Sequence, residues 1–356
     1  MELRIRESFT PVPVFIDGIS RSGKAAVSVA VSSLKRTEHV QNRFIFDTIM
    51  KQHSMGYLAK SAAIDQLIQE VDFSLFYNHL GRNLNTNIHD WSSVLNSRDP
   101  KMYEQRMLRK DNAQTALDIF KEIESNKAIA INCCEELLLN KEIFLEAFQN
   151  LKVVVVLRHP VDIVFSWHRT KRGERYGKDK RFIHQTFGDD KCPIPGDAIE
   201  WSEEYKNISP LDRVIKTISD LYLKYFQEKS NLKDDEKRKF HWVYFENFTS
   251  ESYTNLKEIS QFIGTDFSEK TVEMCSNQML PRQINYPNFY TKFHAIKQNC
   301  AKKYFFIFLQ CCEIYEKHSK SIFRIEEIPK DFSVKKYSDF SKYLNEPDFY
   351  KGKRIN

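Results

Sequence analysis

Val153 to Leu157 is an unbroken apolar run, and the pattern predicts a strand over Lys152 to Leu157. Continuous apolarity is what a parallel strand covered on both faces requires. A second run, Val12 to Asp17, is apolar and β-branched and stops at Gly18. Weaker strands are predicted over Glu38 to Phe44, Ala128 to Asn132 and His241 to Tyr244. Helical spacing is predicted over Ala25 to Leu34, Ala59 to Leu80, within Pro100 to Lys121, and over Glu135 to Phe148. Further helices are predicted over Val161 to Thr170, Pro210 to Gln227, Asn255 to Ile263 and Lys297 to Lys317. Lys171 to Gly196 is rich in charge, Gly and Pro and is expected to be a loop. Strands alternating with helices predict an α/β fold: three layers, with a central, mainly parallel sheet. No repeat and no Gly/Ser linker divides the chain, so one domain is expected over 1–328. A helical insertion at about 46–125 would shape part of its pocket, and a polar tail follows over 329–356.

Composition narrows the class. The chain has 356 residues, 41% hydrophobic and 13% aromatic, enough for a sizeable core and unlike a disordered protein. The net charge of +6 favours an anionic ligand but is too small to indicate nucleic acid. The seven cysteines include two adjacent pairs, Cys133-Cys134 and Cys311-Cys312, and no C-x-x-C. Neither zinc ligation nor a disulfide framework is expected from them, and buried free thiols are. The charged start, Met1 to Arg6, is followed by no apolar stretch of signal-peptide type, so a cytoplasmic location is expected. The apolar runs fall far short of the ~20 residues of a membrane helix, and no membrane partner is expected.

Candidate chemistry begins at the first strand. Val14-Phe15-Ile16-Asp17-Gly18-Ile19-Ser20-Arg21-Ser22-Gly23-Lys24-Ala25 reads as strand, tight loop and helix start. Such a loop turns backbone N–H groups and a helix N-terminus toward an anion. Arg21 and Lys24 add positive charge at the same point. The spacing fits the nucleotide triphosphatase loop, but Ala25 stands where that chemistry needs a Ser or Thr for Mg²⁺. The strand Val153 to Leu157 runs into Arg158 and not into a metal-holding acid. Phosphate binding without a metal is therefore expected.

Arg158 leaves the C-terminal end of a buried strand, where ligands of open α/β sheets bind. Pro160 opens the next helix, a favoured place for proline. Ser166 lies further along it, and a guanidinium with a hydroxyl can hold a second phosphate. Together the two elements resemble the sulfotransferases that use 3′-phosphoadenosine 5′-phosphosulfate. Arg158-His159-Pro160-Val161-Asp162-Ile163-Val164-Phe165-Ser166 matches that family's 3′-phosphate motif intact. Ser20-Arg21-Ser22-Gly23-Lys24-Ala25 matches its 5′-phosphosulfate loop, with Lys24 and Ala25 in place of two threonines. Trp242 to Phe248 and the helix Leu256 to Gly264 resemble later family segments, and the likeness covers roughly residues 12 to 325. The resemblance implies the phosphosulfate nucleotide as co-substrate, held by Ser20, Arg21, Ser22, Gly23, Lys24, Ala25, Arg158 and Ser166. Arg282, after Pro281, and Tyr286 fall where the family often closes over the nucleotide. It also implies sulfuryl transfer to a hydroxyl or amine of a small-molecule or carbohydrate acceptor, with no metal.

Such a transfer needs a base near the sulfur, and the family uses His or Glu there. Asp47, inside the apolar run Phe44 to Met50, is the first candidate, then Glu135, then His53. Arg21 and Lys24 would offset charge on the leaving phosphate. Each candidate base also fits an ordinary solvated or capping role. The polar stretch Gly81 to Trp91 fits an acceptor site or a plain inter-helix loop. Arg169 to Arg181 carries seven basic residues against Glu174 and Asp179, fitting a lid over an anion or a solvated loop. Two other classes stay open: an ATP-using P-loop phosphotransferase or nucleotide hydrolase, and an inactive nucleotide-binding protein.

Overall fold

The computed structural model describes residues 3–180, 182, 184–283, 285–319 and 323–328. The tail expected over 329–356 lies outside them. The described chain forms two compact units, 3–157 with 232–282 and 158–231 with 283–328. No Gly/Ser linker marks the boundary after Leu157.

The first unit is built on a five-stranded parallel sheet. Its strands are β1 (Val12–Asp17), β2 (Gln41–Asn42), β3 (Ile129–Cys133), β4 (Lys152–Leu157) and Phe240–Tyr244. The order is β2-β3-β1-β4, then Phe240–Tyr244. The bounds of β1 and β4 are those the pattern predicts. The helices around this sheet include α1 (Lys24–Ser32), α2 (Ile45–Ser54), α3 (Lys60–Leu80), α4 (Pro100–Met107), α5 (Ala113–Ser125) and α6 (Lys141–Ala147).

Both sheet faces are covered, which is why the central strands β1 and β4 carry unbroken apolar runs, over 12–16 and 153–157. On one face Val14 and Ile16 join Val27, Ala30 and Val31 of α1 and Leu256 and Ile259 of the helix Ser252–Ile263 in one core. On the other, Phe15 meets Phe46 of α2 edge-on, with ring centroids 5.3 Å apart, and Phe144 of α6 at 5.0 Å. This is a three-layer α/β arrangement.

In the first unit, three departures from the predicted bounds have a clear local reason. The strand expected over Glu38 to Phe44 shrinks to Gln41–Asn42, plus one bridge from Thr37 to Ile129. Backbone groups just before it are taken by side chains: Tyr103 Oη accepts from His39 N at 2.8 Å, and Ser32 Oγ from Val40 N at 3.1 Å. Glu38 is buried; burial works against its charge, but His79 and Arg106 with the Tyr103 hydroxyl bring its pKa down to about 2. The helical stretch after Pro100 is two helices, because Asn112 caps a fresh start by accepting from Thr115 N at 2.9 Å. The helix expected from Glu135 begins as a 3₁₀ turn, Leu137–Asn140, before α6. Asp17 accepts from Leu137 N at 2.8 Å and Leu138 N at 3.1 Å there.

The second unit is helical: α7 (Pro160–Arg169) packs with Pro210–Asn231, Tyr286–Asn299 and Lys302–Ser319. The helix predicted over Lys297 to Lys317 breaks at Cys300, and Ala301 N donates to Asp212 Oδ1 at 3.0 Å. The predicted loop after Lys171 holds a short helix, Arg172–Arg175, and a small antiparallel pair, Thr186–Phe187 with Ile194–Pro195. All seven cysteines are free thiols. No helix among the described residues is long and apolar enough to cross a membrane.

The Phe15 cluster carries one face of the sheet. Phe15→Ala is expected to cost about 3–5 kcal/mol, read as a lower denaturant midpoint with an unchanged slope. A midpoint equal to that of the unaltered protein would show that the aromatic layer does not hold the sheet.

Candidate functional site

In the first unit the loop after β1 is shaped by two glycines. Gly18 has φ 146°, and a Cβ there would stand 2.2 Å from the carbonyl oxygen of Val156. Gly23, at φ 98°, precedes α1, and its Cβ would meet the Phe245 ring at 2.2 Å. A side chain would press on β4 at Gly18 and on the Phe245 ring at Gly23. Arg21 also takes a left-handed φ of 71°. Ser20 and Ser22 are buried, and Ala25 lies half-buried in the first turn of α1. Ser22 Oγ finds no hydrogen-bond partner among the described residues. A buried hydroxyl left unmatched is costly, and an oxyanion seated in the loop would satisfy it.

Lys24 turns back over this loop. Its buried ammonium donates to Gly18 O at 2.5 Å and Ile19 O at 3.3 Å, and lies 3.5 Å from Glu135 Oε1. Burial works against its charge, but Glu135, Cys133, Asp47 and Asp17 hold its pKa above the ordinary lysine value. Glu135 follows β3, and its backbone N–H donates to Asp47 Oδ1 at 2.7 Å. Asp47 sits in the first turn of α2, half-buried. Burial and the nearby Glu135 push its pKa up to about 7, against the pull of the Glu135 N–H, Lys24 and Lys51. The strand ends thus bring Lys24, Glu135 and Asp47 into one chain of contacts. His53 is not part of it: its Nδ1 is 3.0 Å from Leu58 O, at the end of α2. Arg282 comes to the loop by a different route. Its guanidinium stands 5.7 Å from the centroid of Phe245, the ring that covers Gly23, and donates to Gln278 O at 3.2 Å.

In the second unit Arg158 and α7 form a charged group of their own. Arg158 Nη2 is 3.5 Å from Asp162 Oδ1, and Lys292 Nζ is 2.6 Å from the same oxygen. Burial opposes the charge on Asp162, yet Arg158 and Lys292 together hold its pKa well below the usual carboxylate range. His159 caps α7: its Nδ1 accepts from Val161 N at 3.2 Å, which leaves Nε2 to donate to Glu316 Oε1 at 3.0 Å. Tyr222 donates its hydroxyl to Arg158 O. Ser166 is buried on α7. Sequence reasoning missed Lys292 because no spacing links residue 292 to 158; only the fold does. The basic run is partly tied down, with Arg172 4.6 Å over Trp167, and Arg175 4.6 Å over Phe182 and 3.0 Å from Asp179. Arg181 lies outside the described residues. Tyr286 packs edge-on against Phe323 with centroids 5.3 Å apart.

No protein-family model matches the chain, and no curated protein does. Among solved structures it aligns with the sulfotransferase domain of the Synechococcus PCC 7002 olefin synthase, at 13% identity and a TM-score of 0.44, over 88% of this chain and 98% of that one. It aligns with the sulfotransferase domain from the curacin biosynthetic pathway at 10% identity and 0.42, over 96% and 97%. A sulfotransferase from Alicyclobacillus acidocaldarius aligns at 13% and 0.36, over 87% and 96%. At these scores the likeness assigns neither a donor nor an acceptor.

The Asp47 shift has a sign that can be checked. An acid whose pKa is raised on folding binds more protons folded than unfolded between its ordinary value and about 7, so its contribution to stability falls as pH rises through that window. The thermal midpoint of Asp47→Asn, relative to the unaltered protein, is therefore expected to climb from pH 4 to pH 8. A pH-independent difference in midpoint would show that Asp47 does not titrate there.

Proposed function

We propose that the chain is a sulfotransferase that takes the sulfuryl group of 3′-phosphoadenosine 5′-phosphosulfate to a hydroxyl or amine acceptor without a metal. The observation that carries it is the Lys24–Glu135–Asp47 chain at the head of a glycine loop that has Ala25 where a metal-binding hydroxyl would stand. The donor supplies an activated sulfuryl group with a phosphate as leaving group. The loop residues Ser20 to Ala25, with the unmatched Ser22 Oγ, fit its 5′ end. Arg21 and Lys24 balance the charge that builds on the leaving phosphate. Asp47, with a pKa near 7, accepts the acceptor's proton at its carboxylate; Glu135 holds Asp47 by its N–H and Lys24 by its side chain. Arg158 and Ser166 take the 3′-phosphate by their motif, and Arg282 adds charge beside the loop. His53, bonded at the end of α2, has no step in this scheme.

Two measurements test it. Calorimetry with adenosine 3′,5′-bisphosphate should give the same affinity with and without chelator. Arg158→Ala should weaken that nucleotide by about 1.5–3 kcal/mol, the value of a hydrogen bond to a charged group, and weaken adenosine 5′-phosphate far less. Tighter binding of ATP with Mg²⁺ than of the bisphosphate, or equal losses for both adenosine nucleotides, would overturn the assignment. In turnover assays Asp47→Asn should lower kcat by about 10²–10⁴-fold and leave bisphosphate binding nearly intact. Unchanged turnover in the folded variant removes Asp47 as base.

A further inference from the structure

The residues around the end of β2 line an open cavity of about 470 Å³, within the range of ligand pockets. It lies beside the acid chain. Asn42 of β2 pairs with Cys133 of β3, and Cys133 pairs with Ile16 of β1, so the three strands end level with the glycine loop. Phe44, at the cavity's lip, directly precedes α2, and its carbonyl accepts from Thr48 N at 3.1 Å. Asp47 is therefore in the same helical turn as the lip, within about 5.4 Å along the axis.

The lining is unusual in kind. Four carboxamides, Gln41, Asn42, Asn83 and Asn85, meet there with Asp90 and Ser92. Part of this wall is fixed in place. Asp90 Oδ1 accepts from both the N–H and the hydroxyl of Ser92 at 2.8 Å, and Asn85 Nδ2 donates to Ser92 Oγ at 3.0 Å. Asn96 staples the same loop by donating to Ile88 O at 2.9 Å and Asp90 O at 3.0 Å. Asn42 and Asn83 are exposed, and neither amide is engaged by another described residue. A carboxamide offers donors and an acceptor a bond apart, matching a pair of neighbouring hydroxyls, each of which both gives and takes a hydrogen bond. The wall is about as apolar as it is polar in surface: Leu84 and the 65%-exposed Phe44 ring add a flat surface for the C–H face of a sugar. Charge argues further. The one cation of the wall, Arg43, lies 3.9 Å from Glu70 Oε2, and Asp90 adds a negative charge.

We infer that this cavity is the acceptor site and that it takes a neutral sugar ring, in preference to a phenol, a steroid or an acidic glycan. The inference rests on the sulfuryl-transfer function proposed above. Gln41 donates to Asn78 Oδ1 at 2.9 Å and Asn85 to Ser92, so the amides that a phenol or steroid would leave unmatched are those of Asn42 and Asn83, and an acidic sugar would meet Asp90 while Arg43 already faces Glu70.

Saturation-transfer NMR on the full chain without nucleotide tests it, with methyl β-D-glucopyranoside and methyl β-D-galactopyranoside as neutral probes. Their methyl glucuronide counterpart and 2-naphthol are the acidic and apolar comparators. At least one neutral glycoside is expected to bind, more tightly than the glucuronide. The double variant Asn42→Leu/Asn83→Leu should weaken it at least 10-fold, and Phe44→Ala at least 3-fold. Bisphosphate calorimetry on the same samples is the control. If nucleotide binds normally but no glycoside does, or naphthol or the glucuronide binds more tightly, or the double variant binds the glycoside as well as the unaltered protein, this inference fails alone. If the unaltered protein does not bind the nucleotide, the function proposed above fails instead.

Discussion

A buried ammonium needs anionic company, and Lys24 has it from three strand ends at once. Its Nζ is held by two loop carbonyls and faces Glu135, with Asp47 and Asp17 close enough to favour its charge. The cost of taking a lysine out of water is offset only because those acids are there. The acids depend on the lysine in turn: without it, Glu135 and Asp47 would be two like charges in a partly dry corner. Loop shape, helix start and acid pair are therefore one electrostatic unit. Sheet registry matters for this reason, since a one-residue slip of β3 would carry Glu135 away from both partners.

The same logic separates this loop from that of a nucleotide triphosphatase. There the charge after the lysine is managed by a hydroxyl and a metal ion. Here position 25 is alanine, and the compensation comes from protein carboxylates. One carboxylate beside the lysine, Asp47, is raised to about 7, where a group can both hold and release a proton. In the second unit Asp162 goes the other way, pinned as an anion between Arg158 and Lys292. Two aspartates are thus tuned in opposite directions, Asp47 upward by burial and Glu135, Asp162 downward by Arg158 and Lys292.

The layered fold and the glycine loop were legible because both rest on local pattern. β1 and β4 are contiguous apolar runs, and Gly18 and Gly23 are spaced for a tight turn. Asp47 and Glu135 could be named as candidates, since an acid in an apolar run is conspicuous. Their contact could not, because it depends on the register between β2 and β3. His53 looked equivalent on paper, and its bond to Leu58 O follows from the chain's turn after α2, which no periodicity displays. The strand expected over Glu38 to Phe44 is longer than the one that forms. The structure spends those backbone groups on Tyr103 and Ser32, residues that the sequence does not link to them. Phe245 was visible as part of a motif, but not as the lid of Gly23.

That last contact bears on how the protein is made. The ring packed over Gly23 belongs to a segment that leaves the ribosome only after the whole stretch 158–231 has been synthesised. Domains usually fold as units in the order of synthesis, N-terminal first. Here the first unit is discontinuous, and its glycine loop lacks a wall until Phe240–Tyr244 joins β4. A nascent chain ending before that strand carries every loop residue and still lacks the ring that covers Gly23. Completion of the loop's packing is thereby deferred until Phe245 has been made, well over 200 residues after the loop itself.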